Sequence, residues 1–464
     1  MRTTKITLVG AGSVSFGLST LQDIVAYADA LRGSTVALTD VNAESLDLMT
    51  RVARGLNAEA DAGLVIEGTT DPRAALDGAE FVIVAVALDR SATWKKDWEI
   101  PLRCGIRQVL GENGGPGGLG HTLRSAHLML EVARVIEEVA PDAWVLNFTN
   151  PMSRVCLALE RATALRFVGL CHQIGAGFHI AGRVLGLVDE PKDWDEHRVQ
   201  QEVLHRRLDL KAAGLNHFTF IYDLRDNETG EDLYPEFRER LADMPPDFQP
   251  LSRRLMDSFG LFPATGDGHA GEYVSFACET SDMKGFDFDE WDRWGEEMKA
   301  KLRQAVAGER PFREYLGHTS GERAIQIIDA MLHDKNQYEL ALNIPNRGCI
   351  PGLPDWAVVE VPGVVSGAGI SGLHVPALLP GITALLAQQV AVQDRAVEAA
   401  IHGDRQAALQ ALLLDPVVPS YEAAVQILDE LLVVHAPYLP QFLNEALTPD
   451  PSPNIGRGGR SGEF

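Results

Sequence analysis

Two short segments near the middle of the chain carry side chains that can do chemistry. Gly169–His172 ends in a cysteine and a histidine, and Gly214–His217 ends in an asparagine and a histidine. Each segment follows an apolar run typical of a β-strand. A thiolate and an imidazole suit manganese, iron, cobalt, nickel or zinc better than calcium. Cys171 and His217 are therefore candidate metal ligands, although either residue taken alone is more often a packed structural residue.

The amino-terminal segment indicates a site for a dinucleotide. Ile6–Val9 is an apolar strand, and Gly10 and Gly12 follow it directly, ahead of a helical pattern. Glycines at these positions allow a tight turn and let backbone N–H groups approach a pyrophosphate at a helix N-terminus. Ser13 lies in the same turn, and Ser15 stands where a third glycine is usual.

Asp40 bears on the choice between the two nicotinamide dinucleotides. It ends the second predicted strand and can accept hydrogen bonds from an adenosine ribose, which favours NAD over NADP. The alternative is a structural β–α turn in which Asp40 acts as a cap. We expect NAD as the cofactor, with four contacts in the chain: Gly10, Gly12, Ser13 and Asp40.

Two loops add candidate ligand contacts. Six of the eight residues in Gly111–Gly118 are glycine or proline, which is typical of a flexible connection or of backbone that comes close to a ligand. We expect the backbone of this loop to come close to a ligand. Asn150 follows a buried strand, at the edge of a parallel sheet where ligands gather. Its amide can both donate and accept, as sugar hydroxyls require, although it can also cap the next helix.

The carboxy-terminal half contributes two further candidates. Gly266–Tyr273 holds several titratable side chains in a glycine-rich segment. A nearby cation can lower the pKa of a tyrosine from its usual value of about 10, so Tyr273 is either a base or an anchoring residue. Arg347 lies in a predicted loop and can hold an anionic group or form a salt bridge.

The composition narrows the class of protein. The 464 residues are 45% hydrophobic and 23% charged, with a net charge of −24, which argues against a nucleic-acid surface or an anionic membrane surface as partner. The five cysteines are spread out and form no Cys-x-x-Cys pair, so we expect a reducing compartment. With no signal peptide and no uninterrupted apolar span in the sequence, we expect a cytoplasmic protein without a membrane segment.

Strands and helices alternate over the first 190 residues, which predicts an α/β fold with a Rossmann-like, doubly wound parallel sheet. The pattern then changes, and the strands predicted over Val203–Leu210 and Phe218–Asp223 indicate a different, antiparallel or mixed sheet. We therefore predict an NAD-binding domain over residues 1–190 and a C-terminal α+β domain over residues 191–445 for catalysis and oligomerisation. Residues 446–464 are predicted to be a disordered tail.

Six motifs, in order along residues 5–440, resemble glycoside hydrolase family 4. They are Gly-Ala-Gly-Ser at 10–13, Asn-x-x-Asn-Pro at 147–151, Gly-Leu-Cys-His at 169–172, Gly-x-Asn-His at 214–217, His-x-x-Glu-Tyr at 269–273 and Val-Glu-Val-Pro at 359–362. This family is the NAD-dependent exception to hydrolysis by two carboxylates. The resemblance implies a lactate/malate dehydrogenase-like architecture, a divalent metal with Mn²⁺ as first candidate, and a homodimer or homotetramer.

The resemblance also implies a mechanism. Hydride passes from carbon 3 of the sugar to NAD, and the resulting ketone, polarised by the metal, acidifies the proton at carbon 2. A base removes that proton, the aglycone leaves from carbon 1, water adds and the hydride returns. The ketone and the Lewis acid both stabilise the enediolate, so this series of reaction steps is chemically sound.

By matching motif positions, the family assigns roles to residues of this chain. Cys171 and His217 hold the metal, Asn150 contacts the sugar and Tyr273 is the base at carbon 2. His172 stands where phosphosugar-specific relatives have Asp or Asn, so we expect an unphosphorylated α-hexoside or α-hexuronoside as substrate. His172 is either the acid near the leaving group or a support for its neighbours, and Arg347 is a candidate substrate contact.

Two other functions fit parts of the sequence. A lactate/malate-type hydroxy-acid dehydrogenase would share the amino-terminal domain, and Gly268–Gly271 faintly resembles the histidine loop of those enzymes. Their Asp-x-x-Arg pair is not evident, however, and such an enzyme has no use for Cys171. A non-catalytic NAD sensor is disfavoured because Cys, His, Asn and Tyr residues concentrate on successive loops.

Overall fold

The computed structural model describes residues 2–280, 285–317 and 320–443, so the tail predicted over 446–464 lies outside the described residues. The strands are β1 Lys5–Val9, β2 Thr35–Thr39, β3 Val65–Gly68, β4 Phe81–Val84, β5 Trp144–Asn147, β6 Arg166–Gly169, β7 Leu208–Leu215, β8 Phe218–Asp226, β9 Gln337–Pro345, β10 Val358–Ser366 and β11 Gly369–Gly372.

Helices cover the sheet. They are α1 Phe16–Ala26, α2 Ala28–Leu31, α3 Ala43–Glu59, α4 Pro72–Leu76, α5 Arg90–Arg103, α6 Gly115–Val139, α7 Met152–Ala162, α8 Ile174–Val184, α9 Trp194–Arg207, α10 Tyr234–Asp243, α11 Pro250–Phe259, α12 Gly266–Ala270, α13 Ala277–Thr280, α14 Phe288–Val306, α15 Ala324–Leu332, α16 Pro380–His402, α17 Arg405–Leu414 and α18 Tyr421–Val434. None of them combines the length and hydropathy that a membrane span needs, within the part of the chain that the structure describes.

The first six strands form the predicted Rossmann-like layer. They lie in the order β3-β2-β1-β4-β5-β6, and all neighbours are parallel. All four residues of β4 are buried, as expected for a strand covered by helices on both faces. Because parallel strands end at one edge, the turns after β1, β4 and β5 meet there, where Val86 donates its N–H to Thr149 Oγ1 at 3.0 Å.

The prediction of a separate second sheet is wrong. Strand β9 pairs antiparallel with β6, at Gly169 opposite Asn343, and the sheet continues through β10, β7 and β8. The strand predicted from Val203 also begins too early, because α9 extends to Arg207 and β7 starts at Leu208. The apolar residues Val203, Leu204 and Leu208 fit a helix as well as a strand, so periodicity in the sequence does not locate the boundary between α9 and β7.

A buried ion pair joins helices α5 and α6. Asp97 on α5 accepts two hydrogen bonds from the guanidinium of Arg124 on α6, at 2.9 and 2.5 Å, and a third from Nε2 of His435 at 2.8 Å. All three side chains are buried. Burial alone would raise the pKa of Asp97, but Arg124 and His435 hold that pKa below its usual value. Asp97 is therefore a charged group that depends on its partners.

We predict that Arg124→Met lowers the free energy of unfolding by about 3–5 kcal/mol, because it leaves the Asp97 carboxylate buried without its main counter-charge. Chemical denaturation measures this change. The control is Arg103→Met, which removes the largely exposed pair of Arg103 with Glu430 and should cost under about 1 kcal/mol. Equal losses in the two variants would contradict the prediction.

Candidate active site

A cleft with a volume of about 880 Å³ opens at the carboxyl edge of the parallel strands. The four residues predicted to bind NAD all line it: Gly10, Gly12, Ser13 and Asp40. Asn150 and Glu112 line its other end. The volume lies within the range of small-molecule sites, so the cleft is large enough for a dinucleotide with part of a second ligand.

The two glycines of the β1–α1 turn are required by close packing. Gly10 has a φ of +84°, and a Cβ there would lie 2.1 Å from the carbonyl oxygen of Ala85. A Cβ on Gly12 would lie 2.9 Å from Oδ2 of Asp40. The turn therefore keeps bare backbone at the cleft wall, which is the feature that a pyrophosphate needs.

Asp40 has a structural role that the sequence left open. Its Oδ2 accepts a hydrogen bond from the N–H of Gly12 at 2.9 Å, and its Oδ1 accepts one from the N–H of Asn42 at 2.8 Å. The carboxylate thus ties the glycine turn to the end of β2. Each oxygen keeps a further acceptor position, so contact with a ribose stays compatible with this arrangement.

Cys171 and His217 come together although 46 residues separate them. Cys171 follows β6, and His217 is the second residue of the two-residue turn between β7 and β8. His217 adopts a left-handed φ of +64°, a conformation that costs energy in a non-glycine residue and that collects at functional sites. Its Nε2 lies 3.5 Å from Sγ of Cys171.

This pair fits a divalent metal. A sulfur and a nitrogen ligand of one ion lie roughly 3.1–3.6 Å apart, given bond lengths near 2.3 and 2.1 Å and angles of 90–110°. Burial, followed by the charges of His269 and His172, holds the pKa of His217 well below its usual value, so the imidazole stays neutral, as a ligand must. Burial raises the pKa of Cys171, so metal binding has to release its proton.

Asn113 controls the orientation of His217. Its side-chain nitrogen lies 2.8 Å from Nδ1 of His217 and 3.2 Å from Oε2 of Glu112. Metal binding at Nε2 puts the ring proton on Nδ1, and Asn113 can then accept it after a half-turn of its amide group. The site needs no backbone movement for this adjustment.

Two residues that the sequence left without a role face the pair. Donor atoms of Glu112, His217 and His269 lie within 4.8 Å of one another, and the rings of His217 and His269 are 4.0 Å apart. Burial raises the pKa of Glu112. Glu112 and His269 both lie in glycine-rich segments, and this composition is the one feature of the sequence that could have indicated a site there. Their spacing alone does not distinguish them from structural residues.

Asn150 reaches the same place. Its Nδ2 lies 3.4 Å from Oε1 of Glu112, and its buried Oδ1 has no hydrogen-bond partner among the described residues. Asn216, which precedes the metal-ligand candidate His217, also has a buried Oδ1 without a partner in the described part of the chain. Buried oxygens of this kind normally have a partner, so both are suited to a bound ligand or to ordered water.

His172 pairs with a carboxylate that the sequence did not reveal. Its Nδ1 lies 2.5 Å from Oε1 of Glu322, while 60% of the His172 side chain is exposed. The Glu322 carboxylate raises the pKa of His172 above its usual value. His172 is therefore an accessible imidazole that holds a proton more tightly than usual.

Tyr273 is buried rather than open to the cleft. Its ring stacks on Phe218 with centroids 4.8 Å apart, and its hydroxyl donates to the carbonyl oxygen of Asn216 at 3.1 Å. Burial, together with the charge of Glu272, raises the pKa of this phenol well above 10, the opposite of what a base requires. The contacts seen in this structure are those of an anchoring residue.

The neighbouring Glu272 fills the glycine loop. Its Oε2 accepts hydrogen bonds from three successive backbone N–H groups, those of residues 112–114, at 2.8, 2.8 and 3.1 Å. A Cβ on Gly114 would lie 2.6 Å from the carbonyl oxygen of Glu272. The loop thus approaches a carboxylate of the chain itself, at the position where we had expected a ligand.

Arg347 is not brought to this cluster. Its guanidinium lies 3.6 Å from the carboxylate of Glu160, and 74% of the side chain is exposed. Glu160 is in the last turn of α7, whereas Asn150 precedes the first turn. The salt bridge that the sequence allowed for Arg347 is therefore the contact observed, and its role as a substrate contact stays a prediction.

Family models cover both halves of the chain. Residues 5–184 match the model for family 4 glycosyl hydrolases, and residues 212–418 match the model for the C-terminal domain of the same family. The protein is a family 4 glycoside hydrolase. This confirms the family that the six motifs indicated and gives no support to the dehydrogenase alternative.

Curated relatives match this hydrolase over nearly its full length. It is 35% identical to an alpha-glucosidase from Erwinia rhapontici, across 94% of this chain and 99% of the relative. It is 27% identical to an alpha-galactosidase from Bacillus subtilis (strain 168), again across 94% of this chain and 99% of the relative.

A crystal structure of a 6-phospho-alpha-glucosidase from gut microorganisms, in complex with NAD and Mn²⁺, superposes on the hydrolase with a TM-score of 0.80. The identity is 24%, and the match covers 95% of this chain and 100% of that chain. This likeness confirms the fold class expected from the sequence.

We predict that Cys171→Ser weakens Mn²⁺ binding by at least about tenfold, because a hydroxyl replaces the thiolate, and even partners outside the ligand set are worth tenfold or more. Manganese titration followed by electron paramagnetic resonance measures the affinity. Cys278→Ser, a partly buried cysteine outside the cluster, is the matched control. Unaltered Mn²⁺ affinity in Cys171→Ser would remove Cys171 from the ligand set.

Proposed function

We propose that this family 4 hydrolase cleaves α-glycosides of an unphosphorylated hexose or hexuronic acid, using NAD and a divalent cation, with Mn²⁺ as first candidate. The observation that carries the proposal is the thiol–imidazole pair, Cys171 and His217, grouped with Glu112 and Asn150 at one end of the coenzyme cleft. Oxidation and elimination on one sugar ring require a bound metal ion next to the coenzyme, and this pair could hold one.

With NAD and a divalent cation bound, the site gains reversible hydride transfer at carbon 3 of the sugar and Lewis-acid stabilisation of the ketone and enediolate. The protein has to position the sugar, move a proton at carbon 2 and assist the leaving group at carbon 1. Three sets of side chains are available for these tasks.

Asn150 and Glu112 are the proposed sugar contacts. The free Oδ1 of Asn150 can accept from a hydroxyl, and the Glu112 carboxyl, with its raised pKa, can donate or accept according to its protonation state. Hydrogen bonds of this kind orient a sugar ring and give specificity at modest cost in binding energy. Both residues lie on the side of the coenzyme cleft, as contacts near carbons 2 and 3 must.

His269 is the proposed base at carbon 2, in place of Tyr273. Its Nδ1 lies 3.3 Å from Oε1 of the buried Glu272, which favours the tautomer with a proton on Nδ1 and a free lone pair on Nε2. Its ring faces His217 at the cluster, whereas the Tyr273 hydroxyl is occupied by a backbone carbonyl. In this proposal the His-x-x-Glu-Tyr motif still supplies the base, but the base is its first residue, His269, and not its last residue, Tyr273.

His172 is the proposed acid for the leaving group. The Glu322 carboxylate raises the pKa of His172, which favours the protonated imidazole that a general acid requires. Its exposure fits a group at the mouth of the site, where an aglycone leaves. The 35% identical relative is named as an alpha-glucosidase, which supports an unphosphorylated α-hexoside as substrate.

We predict that nitrophenyl α-hexosides or α-hexuronosides release nitrophenol when NAD and Mn²⁺ are both supplied, without accumulation of NADH, because the hydride returns in the same turnover. Absorbance at the nitrophenol and NADH wavelengths measures both quantities. A hydroxy acid that yields one NADH per turnover would support the dehydrogenase instead and would overturn the proposal.

We predict that His269→Ala slows exchange of the carbon 2 proton with deuterated solvent by roughly 10²–10⁴-fold, the usual contribution of a general base. Proton NMR of the sugar in D₂O measures the exchange. Tyr273→Phe keeps the buried ring and is the comparison variant, with exchange close to that of the unaltered protein. The reverse result, with exchange lost only in Tyr273→Phe, would return the role of base to Tyr273.

A further inference from the structure

Helix α14 lies along the coenzyme cleft although it belongs to the second half of the chain. Six of its residues line the cleft together with the glycine turn: Trp291, Asp292, Trp294, Gly295, Glu296 and Lys299. Two turns of helix separate the first from the last, a distance of about 12 Å along the axis. This stretch is long enough to follow most of an extended dinucleotide.

The two ends of this stretch lie near different parts of the cleft. At one end, the guanidinium of Arg90 is 5.3 Å from the ring of Trp291 and 3.4 Å from Oε1 of Glu112, which belongs to the sugar end. At the other end, Arg303 bonds at 3.1 Å to Glu44, in the first turn of α3 and close to Asp40. Helix α14 therefore runs from the sugar end towards the adenosine end.

Contacts within the protein hold this helix in place. Ser91 at the start of α5 donates to Oδ1 of Asp292 at 2.5 Å, and α14 packs on α3. The rings of Trp291 and Trp294 lie 5.0 Å apart. The position of the helix thus does not depend on a ligand.

Gly295 stands in the middle of this helix, where glycine is unfavourable relative to alanine. The protein itself does not require it, because a Cβ on Gly295 would meet no described atom within 4 Å. The glycines of the β1–α1 turn differ, since a Cβ there would collide with the protein. Gly295 leaves open space at the cleft wall, and a side chain there would extend into that space.

We propose that α14 forms the outer wall of the NAD site, with Gly295 at the point of closest approach between helix and coenzyme. The proposal rests on the proposed function, in which NAD is reduced and reoxidised within one turnover and has no need to leave. A wall supplied by the second half of the chain retains the coenzyme through that cycle. The wall also puts both halves of the chain in contact with one ligand.

The test is Gly295→Leu, with Ala300→Leu as matched control. Ala300 is exposed on the same helix and does not line the cleft. Isothermal titration calorimetry of the metal-free protein with NAD gives the dissociation constant, and stopped-flow displacement gives the off-rate. We expect Gly295→Leu to weaken NAD binding about tenfold or more, since overpacking a tight contact has an effect of that size, while Ala300→Leu stays within twofold.

Trp294→Ala tests the wall in the opposite direction, because it removes bulk instead of adding it. We expect faster NAD dissociation, by several-fold. Because Trp294 packs on Trp291, thermal denaturation of the variant is needed to verify that it is folded at the assay temperature. Normal NAD affinity and off-rate in Gly295→Leu and Trp294→Ala would overturn the proposal about α14. Absence of NAD binding in the unaltered protein would instead overturn the proposed function.

Discussion

The buried carboxylate of Glu272 is the contact on which the site depends. It bonds to three backbone N–H groups at the start of α6, where the partial positive charge of the helix favours an anion. Hydrogen bonds to a charged group contribute roughly 1.5–3 kcal/mol each. Through this one side chain the second half of the chain fixes the loop that carries Glu112 and Asn113, and it also orients His269.

The arrangement leaves much of a metal coordination shell to the substrate. As the proposed ligands, Cys171 and His217 would supply two donor atoms, and a catalytic ion keeps open positions for water or substrate oxygens. A sugar with two adjacent hydroxyls can therefore complete the shell, which links metal binding to recognition of carbons 2 and 3.

Much of the coenzyme half could be predicted from the sequence, because its signals are local. A strand, a glycine turn and a helix follow one another within 26 residues, and burial on both faces makes β4 a continuous apolar run. The pairing of Cys171 with His217 was also predictable, but only through the family motifs. Each motif by itself is compatible with an inert core residue.

Other parts of the site depend on long-range contacts that have no local pattern. Glu322 meets His172 across 150 residues, and nothing in its surroundings in the sequence marks it. Tyr273 and His269 belong to one motif, and only the three-dimensional packing separates the buried phenol from the ring that lies against His217. The continuous sheet was missed for the same reason, since the junction of β6 with β9 joins residues 174 positions apart.

That junction has a mechanical consequence. Hydrogen-bonded strands lead without interruption from β6, which precedes Cys171, through β9 and β10 to β7, which precedes His217. The junction pairs Gly169–Asn343 and Gly214–Glu360 lie two and three residues before Cys171 and His217, so the pairing of the strands sets the distance between thiol and imidazole. Exchange of sugar and aglycone must then be accommodated by the helices and loops around the rim.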